Sequence, residues 1–223
     1  MKIGIICAME LEARRIRERM DIQEEKLCGG VQLILGNWLG HEIALTVCGV
    51  GKVNAAIAAQ TMVLAYQPQL VVNTGVAGSV SPELGLLDVV RGEAVVQHDM
   101  DTSPLGDPVG FISGERLNRV EIPCRCPSLE GKLAALGDRL PKGVIASGDQ
   151  FIADAARSQA IARQFGAVAV DMESGSIGQV CYLAGLECLL LRAISDGGDD
   201  MEYAAFAEKA AQESVDILEA ILT

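Results

Sequence analysis

The sequence predicts an α/β protein, a three-layer α/β/α sandwich around a mixed, largely parallel central sheet. Short apolar runs typical of buried strands alternate along the chain with longer segments of helical period, which is the pattern of strands covered by helices. Half of the residues are hydrophobic but only 4% are aromatic, so the core should be mainly aliphatic, as in buried parallel strands. The length fits one domain, which we assign to residues 1–223.

The first third of the chain predicts a strand, a charged helix, a hairpin and an alanine-rich helix. Lys2–Cys7 is a short apolar run, and Glu10–Met20 follows it with dense charge. Val31–Leu35 and Glu42–Val47 alternate moderately and are separated by two glycines, which indicates a hairpin. Val53–Tyr66 has the composition of a helix, and a proline two residues later ends it.

The remaining chain predicts further strands and helices in alternation. Strands are expected at Leu70–Asn73, Asp88–Val96, Gly143–Ala146, Ala167–Met172 and Cys188–Ile194. Helices are expected at Asp154–Phe165, Glu173–Ala184 and Tyr203–Leu222. Residues 101–131 are rich in proline, glycine and serine and show no clear period, so we interpret them as a functional loop or an interface.

Composition limits the classes of partner and the compartment. The formal net charge of −12 argues against nucleic acid and anionic membranes, which require basic surfaces. The seven scattered cysteines favour a reducing compartment, and we find neither a secretory signal nor a membrane span, so we expect a cytoplasmic protein. Cys124 and Cys126 have one residue between them, against the two or more of zinc knuckles, so no metal is expected.

Two strand ends carry charged residues. Arg192 lies inside an apolar run that ends at Asp196, and a second apolar run ends at Asp171 and Glu173. Charges in such positions are costly unless they are paired or used, and ligands of open α/β sheets bind outside the carboxyl ends of strands. The spacing alone allows either an acid–base site or a structural Arg–Asp pair.

The segment Gly49-Val50-Gly51-Lys52 precedes a helix and superficially suggests a phosphate-binding loop. It lacks the required first glycine, since Thr46 occupies that position, and Val53 stands where serine or threonine is needed. We interpret it as a tight turn that lets the backbone approach a ligand or a packed strand.

Six motifs resemble those of the 5′-methylthioadenosine/S-adenosylhomocysteine nucleosidases, in that family's order and over essentially the whole chain. They are Met1-Lys2-Ile3-Gly4-Ile5-Ile6 with Ala8-Met9-Glu10-Leu11-Glu12, Gly49-Val50-Gly51-Lys52-Val53, Asn73-Thr74-Gly75-Val76-Ala77-Gly78, Ser147-Gly148-Asp149-Gln150-Phe151-Ile152, Val170-Asp171-Met172-Glu173 and Ala193-Ile194-Ser195-Asp196. The resemblance implies hydrolysis of the N-glycosidic bond of a small-molecule adenine nucleoside with a 5′-thio substituent. It implies neither a cofactor nor a metal, and it suggests a homodimer.

The resemblance also implies roles for individual residues. Glu12 would activate the attacking water with help from Arg192, and Asp196, beside Ser195, would be the general acid that protonates the purine. Glu173 would bind the ribose hydroxyls. The remaining substrate-binding positions implied are Met9, Val50, Ala77, Gly78, Phe151 for stacking on adenine, Ile152 for backbone hydrogen bonds to the base, Met172 beneath the sugar, and Phe206.

One departure from the family's motifs and several alternatives remain open. Val76 stands where the family often carries serine. Asn73 and Thr74 stand where related phosphorylases place an arginine for phosphate, and this absence favours water over phosphate as the nucleophile. A phosphorylase, a futalosine-type hydrolase with a bulkier 5′ group, and a non-catalytic nucleoside-binding protein are the alternatives. The loop Asp101–Phe111 is expected either to reach a dimer partner's 5′ pocket or to fold back on its own subunit.

Overall fold

The computed structural model describes residues 1–198 and 200–223. Its strands are β1 Lys2–Cys7, β2 Asp21–Cys28, β3 Val31–Trp38, β4 His41–Val47, β5 Leu70–Ser79, β6 Val89–Gln97, β7 Ile112–Ser113, β8 Asn118–Arg119, β9 Ile122–Pro123, β10 Lys142–Ser147, β11 Ala167–Asp171 and β12 Glu187–Asp196. Its α-helices are α1 Glu10–Arg19, α2 Lys52–Thr61, α3 Glu130–Leu136, α4 Ala155–Phe165, α5 Ser174–Ala184 and α6 Asp200–Leu222. Single helical turns lie at Met62–Tyr66, Ser103–Leu105, Pro127–Leu129 and Gly137–Arg139.

The central sheet is mixed, as the sequence predicts. Its order is β11-β10-β6-β12-β5-β1-β4-β3-β2, with β9 added on β6. The strands β4, β1, β5 and β12 run parallel to one another, and so do β6, β10 and β11. The predicted hairpin is confirmed as the antiparallel pair β3–β4, and β2 extends it at the sheet edge.

One pairing joins strands that are distant in the sheet order. The end of β5 pairs antiparallel with β11, with Gly78 opposite Val170 and Ser79 opposite Ala169. Gly78 is also the register partner of Asp196 in β12. This pairing closes β5, β12, β6, β10 and β11 into a ring of strands, so the ends of β5, β11 and β12 meet at Gly78.

Helices cover both faces of the sheet, which confirms the layered α/β architecture. One apolar cluster packs residues of α1, α3 and α6 against β1, β4, β5 and β12, for example Ile16, Leu133 and Leu218. A second cluster packs α2 and α5 against the opposite face, through residues such as Ala58 and Ile177. Among the described helices, none is long and apolar enough to cross a membrane.

The structure also contains the helix α3 and the short strands β7, β8 and β9, which were not predicted, and it corrects the predicted elements at three further places. Asp21–Cys28 is a strand that the sequence analysis missed, because most of its residues are exposed, half of them are charged, and it carries no alternation signal. β5 continues to Ser79 rather than ending at Asn73, because glycines and small residues fit where the chain packs against neighbours on both sides. The segment Met62–Tyr66 is a wider π-type turn that extends α2 rather than α-helix.

Candidate active site

A cavity opens at the carboxyl ends of β1, β5, β11 and β12, where parallel α/β sheets bind ligands. Its empty volume is about 720 Å³, part of which is open to solvent, and this is within the range of small-molecule sites. Most of the predicted site residues line it, namely Met9, Glu12, Val50, Ala77, Gly78, Phe151, Ile152, Met172, Glu173, Ser195 and Asp196.

Glu12 projects into the protein rather than into solvent, although it lies in a highly charged helix. Its Oε2 accepts hydrogen bonds of 2.8 Å from the amides of both Ala8 and Met9, which tie the carboxylate to the start of α1. Its Oε1 accepts a 3.0 Å hydrogen bond from the amide of Val76 in β5. Burial raises the pKa of Glu12 even though Arg192 and these amides oppose the shift.

Gly75 makes room for this arrangement. A Cβ at this position would lie 2.3 Å from Glu12 Oε1 and 2.6 Å from Nη1 of Arg192. Both charged groups therefore approach the backbone of β5 through the space that a side chain would occupy. Arg192 is also the register partner of Gly75 on β12, so the strand pairing itself fixes the approach.

Arg192 is fully buried beneath the cavity and does not line it. Its Nε donates to Asp171 Oδ2 at 2.7 Å, and its Nη2 lies 2.7 Å from the same oxygen and 2.5 Å from Asn73 Oδ1. Burial disfavours the charged form of the guanidinium, but the negative charges of Asp171, Glu173 and Glu12 outweigh this effect and raise the pKa of Arg192. Within the described part of the chain, Nη1 has no hydrogen-bond partner; it and Glu12 Oε1 both lie close to the position that a Cβ on Gly75 would occupy.

Asp171 is the principal counter-ion of Arg192 and is held by hydroxyl and amide donors. The hydroxyls of Ser147 and Ser174 donate short hydrogen bonds to its two carboxylate oxygens, and the Ser174 amide adds a bond of 3.0 Å. Sequence analysis noted this carboxylate at a strand end but did not place it in the site. In the structure Asp171 lies beneath the floor of the cavity, and part of the residue also lines the cavity wall.

Glu173 sits at the start of α5 with one carboxylate oxygen facing the turn before α2. Its Oε1 accepts a 2.9 Å hydrogen bond from the Gly51 amide, and its Oε2 lies 3.7 Å from Arg192 Nη2. Burial first, and then the nearby Asp171 carboxylate, raise the pKa of Glu173 to about 7, against the opposing effects of Arg192 and the amide. The backbone of the turn Gly49–Lys52 thus approaches the Glu173 carboxylate directly.

Asp196 ends β12 and is almost completely buried. Its Oδ2 accepts a 2.9 Å hydrogen bond from the Ser195 hydroxyl, and its Oδ1 accepts one of 2.9 Å from the Gly198 amide. A Cβ on Gly78 would lie 3.0 Å from Oδ1, so the carboxylate lies against the backbone of β5. The register of β12 shifts between Ile194 and Asp196, which places Asp196 rather than Ser195 opposite Gly78.

The outer wall of the cavity is aromatic and apolar. The Phe151 ring is 48% exposed and packs edge-on against Tyr203, with ring centroids 5.5 Å apart. The Tyr203 hydroxyl lies 3.3 Å from the sulfur of Met9. Ile152 is buried beside them. An exposed aromatic ring on a cavity wall can stack on a planar ligand.

Phe206 is the predicted binding residue that the structure leaves outside the cavity. It is half-buried on α6, while Tyr203, one turn earlier on the same helix, lines the wall. Helical spacing of three residues places both side chains on similar faces of α6. The other lining residues that sequence analysis did not assign to binding are Ala8, Val76, Gln150 and Val170.

Comparison with known proteins gives a consistent result over the whole length. The model of the phosphorylase superfamily matches residues 2–223. The chain is 36% identical to the aminodeoxyfutalosine nucleosidase of Helicobacter pylori over 226 residues, covering 99% of this chain and 97% of the relative. It is 30% identical over 227 residues to the 5′-methylthioadenosine/S-adenosylhomocysteine nucleosidase of Shewanella halifaxensis, covering 100% and 99%. The structure of Helicobacter pylori futalosine hydrolase superposes with a TM-score of 0.91 at 36% identity, covering 99% of this chain and 96% of that one.

The raised pKa of Glu173 predicts a pH-dependent stability. A carboxyl whose pKa is about 7 in the folded state, against roughly 4.3 unfolded, makes wild type lose stability as the pH rises between these values. Glu173→Gln keeps the acceptor for Gly51 but does not ionise. We therefore expect the free energy of unfolding of the variant, relative to wild type, to rise by on the order of 1–3 kcal/mol between about pH 5 and pH 8.

Urea denaturation at both pH values measures this difference. Glu83→Gln, which changes an exposed glutamate, is the matched control and should show no such trend. If the two variants respond equally to pH, Glu173 is not titrating in this range.

Proposed function

The chain belongs to the phosphorylase superfamily, and within it we propose that it hydrolyses the N-glycosidic bond of 5′-substituted adenosines and releases adenine. The observation that carries the proposal is the pair of buried carboxylates, Glu12 and Asp196, which reach one cavity from two different elements. Glu12 contacts β5 at Val76, and Asp196 contacts it at Gly78. Two residues along a strand span roughly 6–7 Å, which leaves room for a sugar carbon and a water molecule between the acids.

Glu12 is proposed as the base that receives a proton from the attacking water. Burial raises its pKa, which makes the carboxylate a better proton acceptor, since basicity increases with pKa. Three backbone amides fix its orientation. Val76 presents no hydroxyl to the water, so Glu12 and backbone groups would hold it.

Asp196 is proposed as the general acid for the departing purine. The reaction forms a bond between water oxygen and the anomeric carbon and breaks the bond from that carbon to the adenine nitrogen. One water proton goes to Glu12, and the Asp196 proton goes to a ring nitrogen of adenine, so the base leaves neutral. The hydrogen bonds from Ser195 and Gly198 hold the carboxyl in place for this transfer.

The charge balance around Arg192 favours the transition state of this reaction. One guanidinium is shared by Asp171, Glu173 and Glu12, so the buried site is acidic overall. Positive charge that develops on the ribose ring would be stabilised by these fixed carboxylates in a site of low dielectric. Glu173 is placed to accept hydrogen bonds from the ribose hydroxyls, and Met172 to contact the sugar, since both line the cavity.

Water is favoured over phosphate as the nucleophile. In the described part of the chain, the cavity wall carries no lysine or arginine. Arg192 lies beneath the wall and is engaged by Asp171 and Asn73. A phosphate dianion needs a cationic partner, and the several carboxylates here would repel it. These features support a hydrolase rather than a phosphorylase.

The 5′ substituent is the remaining variable of the substrate. The family motifs support methylthioadenosine and S-adenosylhomocysteine, whereas the higher identity to aminodeoxyfutalosine nucleosidases supports a bulkier futalosine-type group as a second candidate. The cavity mouth, bordered by half-exposed Val50 and Phe151, is open enough for either. We therefore propose adenine release from both kinds of nucleoside.

The proposal also includes a location. All seven cysteines are unpaired, and several of them are buried thiols. Unpaired thiols are typical of proteins that work in a reducing compartment. The cytoplasm is therefore the compartment we propose.

Adenine release from methylthioadenosine tests the proposed activity. We expect release at equal rates with and without phosphate, and we expect Glu12→Gln to lower kcat by about a hundred- to ten-thousandfold. Glu10→Gln is the matched control, because Glu10 is exposed on the same helix and its change should have little effect. Equal losses in the two variants would mean that Glu12 is not the base, and dependence on phosphate would indicate a phosphorylase.

We propose a homodimer as the working form. The support is an apolar stripe on α2 and the following turn, where Val53, Ile57 and Leu64 are 68%, 48% and 69% exposed. The loop Asp101–Phe111 adds Leu105, which is 84% exposed. Side chains four residues apart share a helix face, and contiguous exposed apolar groups mark interaction surfaces. A two-fold axis would place two copies of one such surface together.

Ile57→Glu is expected to dissociate this dimer, because it places a charge in the middle of the apolar stripe. Light scattering should give twice 23.5 kDa for wild type and 23.5 kDa for the variant. Ile22→Glu, at an exposed position of β2, is the control and should remain dimeric. A monomeric wild type, or a dimer that both substitutions leave intact, would refute the assigned surface.

A further inference from the structure

The loop between β10 and α4, residues 148–153, carries the groups proposed to bind adenine but has little core of its own. Gly148 and Ile152 are buried, while Asp149, Gln150, Phe151 and Ala153 are exposed. Burial alone therefore does not fix where Phe151 presents its ring. Hydrogen bonds from outside the loop must supply much of that constraint.

Three residues from separate parts of the chain form a closed ring of hydrogen bonds at the start of this loop. The Lys52 amide donates to Asp149 Oδ1 at 2.7 Å. The Asp149 amide donates to Asp99 Oδ2 at 2.9 Å. The Lys52 ammonium completes the ring with a 2.6 Å bond to Asp99 Oδ1. The ring joins the first turn of α2, the segment after β6 and the loop after β10.

The Lys52–Asp99 ion pair is shielded more than an ordinary surface pair. The two side chains are only 18% and 16% exposed, so solvent screens their attraction less than in exposed pairs. Lys52 Nζ also lies 3.3 Å from Gln97 Oε1. Burial tends to raise the pKa of Asp99, but the bonds from Lys52 and from the Asp149 amide outweigh it and hold that pKa below its ordinary value.

Close packing leaves the loop few alternative positions around this ring. A Cβ on Gly148 would lie 2.4 Å from the His98 ring, and a Cβ on Gly51 would lie 3.1 Å from Asp149 Oδ1. The adjacent amide of Gly51 donates to Glu173. The turn Gly49–Lys52 therefore positions both Glu173, which is proposed to bind the ribose, and loop 148–153, which is proposed to bind the adenine.

We propose that Lys52 is a positioning residue, which through Asp99 and Asp149 holds loop 148–153 so that Phe151 and Ile152 meet the adenine base. The inference rests on the proposed function, because it specifies how the same site binds its base. Lys52 touches neither Glu12 nor Asp196 in the hydrogen-bond network described above. Its loss should therefore weaken base binding and leave the proton transfers in place.

Lys52→Met, which removes the charge and keeps the apolar stem, tests the proposal with two readouts. Calorimetry with adenine as the probe measures base binding, and steady-state kinetics with methylthioadenosine separates KM from kcat. We expect the Kd for adenine and KM to rise roughly ten- to hundredfold, the effect of losing one charged hydrogen bond, with kcat changed by only a few-fold. Asp99→Asn should give a similar loss, and the double variant should lose no more than either single variant, because all three break one ring.

Lys142→Met is the matched control. Lys142 also pairs with a carboxylate, at 2.9 Å from Glu93, but at the opposite end of β10 from the loop. This variant should bind adenine like wild type. If Lys52→Met does not fold, Asp99→Asn decides the question in the same assays.

The outcomes separate this inference from the proposed function. If wild type releases adenine but Lys52→Met and Asp99→Asn bind adenine as wild type does, the positioning role is wrong and the proposed function stands. A fall in kcat with unchanged adenine affinity would also overturn the positioning role. If wild type neither binds nor releases adenine, the proposed function fails, and this inference fails with it.

Discussion

The buried guanidinium of Arg192 is the interaction on which the rest of the site depends. It lies in the middle of β12 with no exposure to solvent, and Asp171 on β11 and Asn73 on β5 engage it. A buried charge without its partner would cost about 3–5 kcal/mol, so these three strands have to bring their polar residues together. The close packing of Ser147 and Ser174 around Asp171 follows from the same requirement.

The chemistry of the cavity follows from how that charge is distributed. Asp171 interacts most strongly with the positive charge of the Arg192 guanidinium, and Glu173 and Glu12 interact with it less strongly. Burial raises the pKa values of both glutamates. Gly75 allows Glu12 and Arg192 to approach the same strand, and Gly78 allows Asp196 to do so three residues further along. The fold therefore brings two carboxylates, Glu12 and Asp196, to one cavity, and each has different hydrogen-bond partners.

Local signals in the sequence predicted where several strands end. Charged residues at the ends of apolar runs, such as Asp196 and Glu173, predicted the strand ends, and most of the predicted binding residues line one cavity. Features that depend on distant contacts were not predictable. The β5–β11 pairing and the ring formed by Lys52, Asp99 and Asp149 each join residues far apart in the chain. The exposed strand β2 was missed because it has no buried face to impose a period.

In the proposed reaction Asp196 acts as the acid and Glu12 as the base, and a change of leaving group tests these two roles most directly. Asp196→Asn should lower turnover of methylthioadenosine by about a hundred- to ten-thousandfold. On 4-nitrophenyl 5-methylthioriboside, whose leaving group departs as a stable anion and needs no proton, the same variant should lose only a few-fold, while Glu12→Gln should be impaired on both compounds. An equal loss for Asp196→Asn on the two compounds would contradict the assignment of Asp196 as general acid.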